Sequence, residues 1–254
     1  MDRAPFNLPF SETFVPSWPC PQCRTGHLSL VPKSLVKEET TESLREHDDP
    51  AWDPDWIRYV FSCIFRCSSS SCEKVFACCG DGKVEYHEYE DETDGWVQSS
   101  IDHFTPKYFN PPLLLMDVPT SCPRNAATHL SESFALYFSD AGAALNCNRA
   151  AVEAVLTDLG IKRYTNLKGK RRPISLHQRI NLLPAKYADV KDLLLAVKWL
   201  GNAGSHDGEK PSYGDVRTTY DLLEYVLAEI YESKTKKLKA IAKNVNAKKG
   251  RLKK

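Results

Sequence analysis

The sequence has no run approaching the roughly 20 consecutive apolar residues that a membrane span requires. Its start, MDRAPFNLPFSETF, lacks the basic-then-apolar pattern of a secretion leader, so a cytoplasmic protein with reduced thiols is expected. There is no Ser-His-Asp arrangement, no phosphate-cradling glycine loop and no paired-carboxylate metal site. Nor are hydrophobic residues scarce: at 42% apolar the chain has the composition of an ordinary globular protein. Its 254 residues suffice for one large domain or two modest ones.

Cysteine is abundant and unevenly placed. Seven of the nine fall before residue 80, while Cys122 and Cys147 stand alone. An odd count in a reducing compartment argues against a disulfide framework, and local clustering argues for metal. Cys20 and Cys23 stand three positions apart with Gly26 behind them, a tight knuckle whose two thiolates can point at one ion. Cys67 and Cys72, separated by four serines, form the preferred second pair. Cys63 with Cys67 is the alternative, although Cys63 sits in a strand-like run where it would turn inward. Four thiolates in a tetrahedron suit Zn²⁺ and leave no open position, so the expected cofactor is a structural zinc ion held by Cys20, Cys23, Cys67 and Cys72. His27, His87 and His103 are possible substitutes.

Residues 28–36 alternate like a strand broken by Pro32, and an acidic insertion follows, in which Trp52 and Trp56 are expected to cap a small core. Ile57–Cys67 is β-branched and aromatic, which predicts a strand. The next segment, KVFACCGDGKVEYHEYE, predicts a hairpin turning at Gly80-Asp81-Gly82, with Cys78 and Cys79 facing opposite sides. Prolines at 111, 112, 119 and 123 mark a linker.

Beyond it the period becomes helical. Helices are expected at 129–142, 143–159 closed by Gly160, 175–183 with a serine cap, 189–203, and 215–232. The basic segment KRYTNLKGKRRP reads as a loop. The reading is thus α+β: a zinc-ribbon domain at 1–110, a linker at 111–123, an all-α bundle at 124–233 and a basic tail at 234–254.

The near-neutral total hides a polarity. Residues 1–119 hold 20 acidic and 10 basic side chains, and residues 120–254 hold 13 acidic and 24 basic. Lys162, Arg163, Lys168, Lys170, Arg171 and Arg172 in the basic segment, with Lys236 and Lys237 in the tail, are candidate phosphate contacts.

The stretch Lys198-Trp-Leu-Gly-Asn-Ala-Gly-Ser-His206, with the earlier Asn148-Arg-Ala-Ala-Val-Glu153, resembles domain-of-unknown-function family 4145 over about residues 120–233. A paired-cysteine ribbon ahead of the domain is similar to an arrangement found there. The resemblance implies a HEPN-like helical bundle, a homodimer, and a setting in prokaryotic defence against foreign nucleic acid. HEPN ribonucleases carry an arginine, an adjacent polar residue and a histidine four further on. Asn202 and His206 match the latter two as catalytic candidates, and Gly201 stands where the arginine belongs. Cleavage of that kind needs a proton-moving group and a cation beside the phosphate. Gly201 cannot supply the cation, although Arg149 or Lys198 could substitute. Arg149 and Glu153 are alternatively an intrahelical ion pair. The favoured expectation is a non-catalytic nucleic-acid-associated sensor or adaptor. The alternatives are a degenerate metal-independent endoribonuclease, and a scaffold that recruits a partner protein of the defence system.

Overall fold

The alternation of Phe61, Cys63, Phe65 and Cys67 with Val60, Ser62, Ile64 and Arg66 makes Arg58–Cys67 a strand with one apolar face. In the computed structural model, which describes residues 1–91, 95–203, 210–232 and 241–247, that strand (β3) organises a five-stranded antiparallel sheet. β1 (Leu28–Leu30) and β2 (Val36–Glu39) pair successively along one edge of β3. β4 (Val75–Asp91) pairs along the other, and β5 (Gly95–Asn110) lies beyond it. A short helix, α1 (Thr41–Glu46), follows β2 within the acidic segment.

Contrary to the sequence reading, Gly80-Asp81-Gly82 is no turn. β4 runs straight through it for 17 residues, with a register shift at Cys79/Gly80. The glycines answer to long-range packing: a Cβ on Gly80 would lie 2.2 Å from the Thr105 carbonyl oxygen, and one on Gly82 would lie 3.0 Å from the Phe104 ring. The bulge helps the long strands to curl. Inside the curl Phe10 meets Trp18, Phe61, Phe65 and Phe104 at centroid distances of 5.2 to 5.9 Å. This sheet belongs to a compact unit formed by Met1–Leu115 with Phe134–Asp140, where Phe138 packs on Phe109 at 5.2 Å.

The second unit, Met116–Ser133 with Ala141–Lys254, holds helices α2 (Arg124–Leu136, whose last turn falls in the first unit), α3 (Ala141–Asp158), α4 (Leu176–Asn181), α5 (Ala188–Ala203) and α6 (Tyr213–Leu227). Their apolar stripes, among them Leu145, Val152 and Leu156 of α3, Leu194 and Val197 of α5, and Tyr220 and Leu223 of α6, form its core. Ser175 and Ser212 start α4 and α6 with reciprocal capping boxes, and Gly160, at φ +78°, ends α3.

The second unit is not the all-α bundle expected from the sequence. Between α3 and α4 the chain forms an antiparallel hairpin, β6 (Tyr164–Leu167) and β7 (Lys170–Pro173), so the unit is mixed. Lys168 and Gly169 adopt φ +49° and +75°, which gives the two-residue turn whose twist matches paired strands.

Candidate functional site

The first knuckle is built by backbone bonds that leave its sulfurs pointing together. Cys20 N–H donates to the Gly26 carbonyl at 2.8 Å, Arg24 N–H returns to the Cys20 carbonyl at 2.9 Å, and Arg24 takes φ +59° at the bend. Cys67 is the last residue of β3, tied to the Lys74 carbonyl at 2.9 Å, and the serine loop carries Cys72 back towards it. The Ser68 N–H reaches the His27 carbonyl at 2.8 Å and stitches the two knuckles together.

The four ligand atoms of Cys20, Cys23, Cys67 and Cys72 all lie within 4.8 Å of one another. Cys20 Sγ is 3.8 Å from Cys72 Sγ, and Cys23 Sγ is 3.6 Å from Cys67 Sγ. A tetrahedral ion with metal–sulfur bonds of about 2.3 Å requires edges of about 3.8 Å, so the quartet fits a bound metal. Cys63 is outside it, buried and paired in register with Cys78 across β3 and β4. His27 is exposed and also outside it.

The thiols are unequal. A hydrogen bond from the Thr25 side chain, then the Gly26 N–H at 3.4 Å, lower the Cys23 pKa to about 6. Burial pushes Cys67 up to about 12. Four adjacent thiolates repel one another, and a cation among them removes that repulsion. Gly26 is fixed by the same crowding: a Cβ there would lie 2.6 Å from Cys67 Sγ and 3.0 Å from the Ser69 nitrogen.

The second candidate surface is the β6–β7 hairpin. Lys162, Arg163, Lys168, Lys170, Arg171 and Arg172 are all exposed, and no carboxylate stands between Lys162 and Pro173. Arg171 lies over the Tyr164 ring, its guanidinium carbon 3.8 Å from the centroid. Alternation sends Lys170 and Arg172 to the opposite face. The sequence showed the charge but not the ribbon that displays it. The signal was the Lys-Gly pair between short polar–aromatic stretches. Lys236 and Lys237 lie outside the described residues.

Of the catalytic candidates, Asn202 is half-buried near the end of α5, and His206 lies outside the described residues. Gly201 has a role that sequence alone does not reveal. A Cβ on it would meet Arg149 Cδ at 2.4 Å and Cγ at 2.5 Å, so the glycine is the seat of an arginine from α3. Glu153 does not pair with that arginine among the described residues. Its carboxylate lies 4.0 Å from Arg179 Nη1 instead. Arg179, almost wholly buried, also donates to the Glu153 carbonyl, Thr157 Oγ1 and the Ile161 carbonyl at 2.9 to 3.2 Å.

Comparison with known families finds two similarities. Residues 8–109 match a domain of unknown function, DUF8608, and residues 131–248 match another, DUF4145. The curated proteins and the solved structures yield no match. The resemblance to family 4145 thus extends over residues 131–248, and residues 8–109 resemble a different family. No helix among the described residues is long and apolar enough to cross a membrane.

Proposed function

We propose that this protein is a non-catalytic nucleic-acid-associated module whose β6–β7 hairpin grips phosphates, and whose thiol quartet holds a structural Zn²⁺. The observation that carries the reading is the hairpin: six basic side chains on and beside two fully exposed strands, with no carboxylate among them. A two-stranded ribbon is one of the few protein elements that the major groove of duplex DNA admits. Cations displayed on it release condensed counterions from the phosphates. Zinc suits the quartet because the ion is borderline-soft, redox-inert and content with tetrahedral sulfur. Four protein ligands leave it no position for a substrate, so its contribution is to clamp the knuckles. A sensor or adaptor role in prokaryotic defence is drawn from the resemblance to family 4145.

The test is fluorescence anisotropy with a labelled 20-base-pair duplex across a salt series. If all six cations meet phosphates, affinity falls about a thousandfold between 50 and 200 mM salt. The triple variant Lys170→Glu/Arg171→Glu/Arg172→Glu abolishes the binding. Salt-insensitive binding, or no binding to duplex or single strand at low salt, removes the reading.

A further inference from the structure

A groove of about 610 Å³ runs along α3 in the second unit. Its floor is one helical stripe, in which Ala150 and Ala154 hollow the surface between Arg149, Glu153 and Asp158. Asn125 and His129 stand on one wall, and Arg163, at the base of the basic hairpin, closes another side.

The charges in and around the groove are unevenly satisfied. Asp158 accepts a hydrogen bond from the Tyr231 hydroxyl at 2.9 Å. Glu153 is drawn to the buried Arg179, and His129 Nδ1 lies 2.9 Å from Glu132. Arg149 is left over. Among the described residues it has no ion-pair partner, and its Nε is buried without a hydrogen bond. Its stem rests on Gly201, so the glycine fixes where the guanidinium stands. Lys198, just outside the groove lining, stands one turn before Gly201 on α5 and so on the side of the helix that the Arg149 stem rests against, with its ammonium over the Trp199 ring at 3.1 Å; burial first, and then the charge of Arg149, lower its pKa. Two cations held beside each other in a partly buried place raise each other's energy, and an anion relieves both.

We infer that the Arg149 end of this groove binds a phosphate ester, with Arg149 and Lys198 meeting the phosphate and the remaining groove housing a nucleoside. The volume greatly exceeds what an inorganic phosphate needs. The guanidinium offers the planar fork that suits two phosphate oxygens, and Asn125 and His129 supply polar groups for a base or sugar. The phosphate comes either from a free nucleotide or from a nucleic-acid end. The groove shares Arg163 with the hairpin surface, but Arg149 and Lys198 lie outside that surface, so the phosphate contact is tested apart from the function proposed above.

The experiment is calorimetric titration of the full chain with adenosine 5′-monophosphate, with adenosine as the control. The monophosphate binds and adenosine does not. Arg149→Met keeps the stem against Gly201 but weakens binding about tenfold or more, and Lys198→Met, on a less crowded side chain, weakens it several-fold. The hairpin triple variant retains the parent affinity. A 5′-phosphorylated 12-nucleotide strand that displaces the monophosphate identifies a nucleic-acid end as the source, and one that does not identifies the free nucleotide. No monophosphate binding by the parent, or parent-like affinity in both the Arg149 and Lys198 variants, overturns the assignment.

Discussion

Replacing Gly26 by alanine adds one methyl group and removes no ligand, yet it should disable the metal centre. The new Cβ would lie 2.6 Å from Cys67 Sγ and 3.0 Å from the Ser69 nitrogen. Ordinary contact begins near 3.5 Å, so the sulfur or the knuckle must retreat by about 1 Å. Metal–ligand distances tolerate only about 0.2 Å. The Cys23–Cys67 edge, 3.6 Å long, would open beyond what one ion can bridge. Disturbing the support of a ligand typically costs tenfold to a hundredfold in affinity. Because here the ligand itself is displaced, we expect at least about a hundredfold, or about 2.7 kcal/mol. Competition for zinc against a chromophoric chelator measures this, with metal content by mass spectrometry as the check on stoichiometry. A Gly26→Ala protein that holds one equivalent at the parent affinity would falsify the crowding argument.

Further outcomes follow from the same geometry. Chelation should lower the melting temperature while leaving the near-ultraviolet circular dichroism of the Phe10–Trp18–Phe65 cluster largely intact, because that core is built from aromatic burial; complete loss of the signal would show that the metal nucleates the sheet. Arg179→Ala should destabilise the helical unit by about 2 to 4 kcal/mol in urea unfolding, since it removes three hydrogen bonds, leaves the Ile161 carbonyl without its side-chain donor and empties a buried site; a change below about 1 kcal/mol would refute that account. Neither the parent nor His206→Ala should cleave single-stranded RNA in EDTA, and cleavage by the parent that vanishes in the variant would replace the non-catalytic reading with a ribonuclease.

The parts legible in the sequence were those that local spacing governs. Two cysteine pairs with short intervals, Gly160 past a helix and Ser175 before one announce themselves without knowledge of the fold. The parts that misled depend on distant partners. Gly80-Asp81-Gly82 has the composition of a turn, and only the Thr105 carbonyl and the Phe104 ring, some twenty residues on, explain why glycine is needed in a continuous strand. The segment from Lys162 to Pro173 reads as a charged loop because its strands bury nothing, so no hydrophobic alternation betrays them. Gly201 is the sharpest case. Compared with a motif it looks like an arginine lost, whereas in the folded chain it is the space that another arginine fills.

The two cysteine knuckles enclose a loop between Cys23 and Cys67 that contains β1, β2, α1 and the acidic segment. Once the ends of a loop are pinned, its closure entropy grows only logarithmically, about 0.6 kcal/mol for each doubling of length. The stretch around α1 is therefore a place where the chain can lengthen, shorten or change charge at little thermodynamic penalty. A metal clamp at the quartet would convert a stability requirement into freedom to vary, so that a recognition surface placed there changes while the sheet beneath it stays the same.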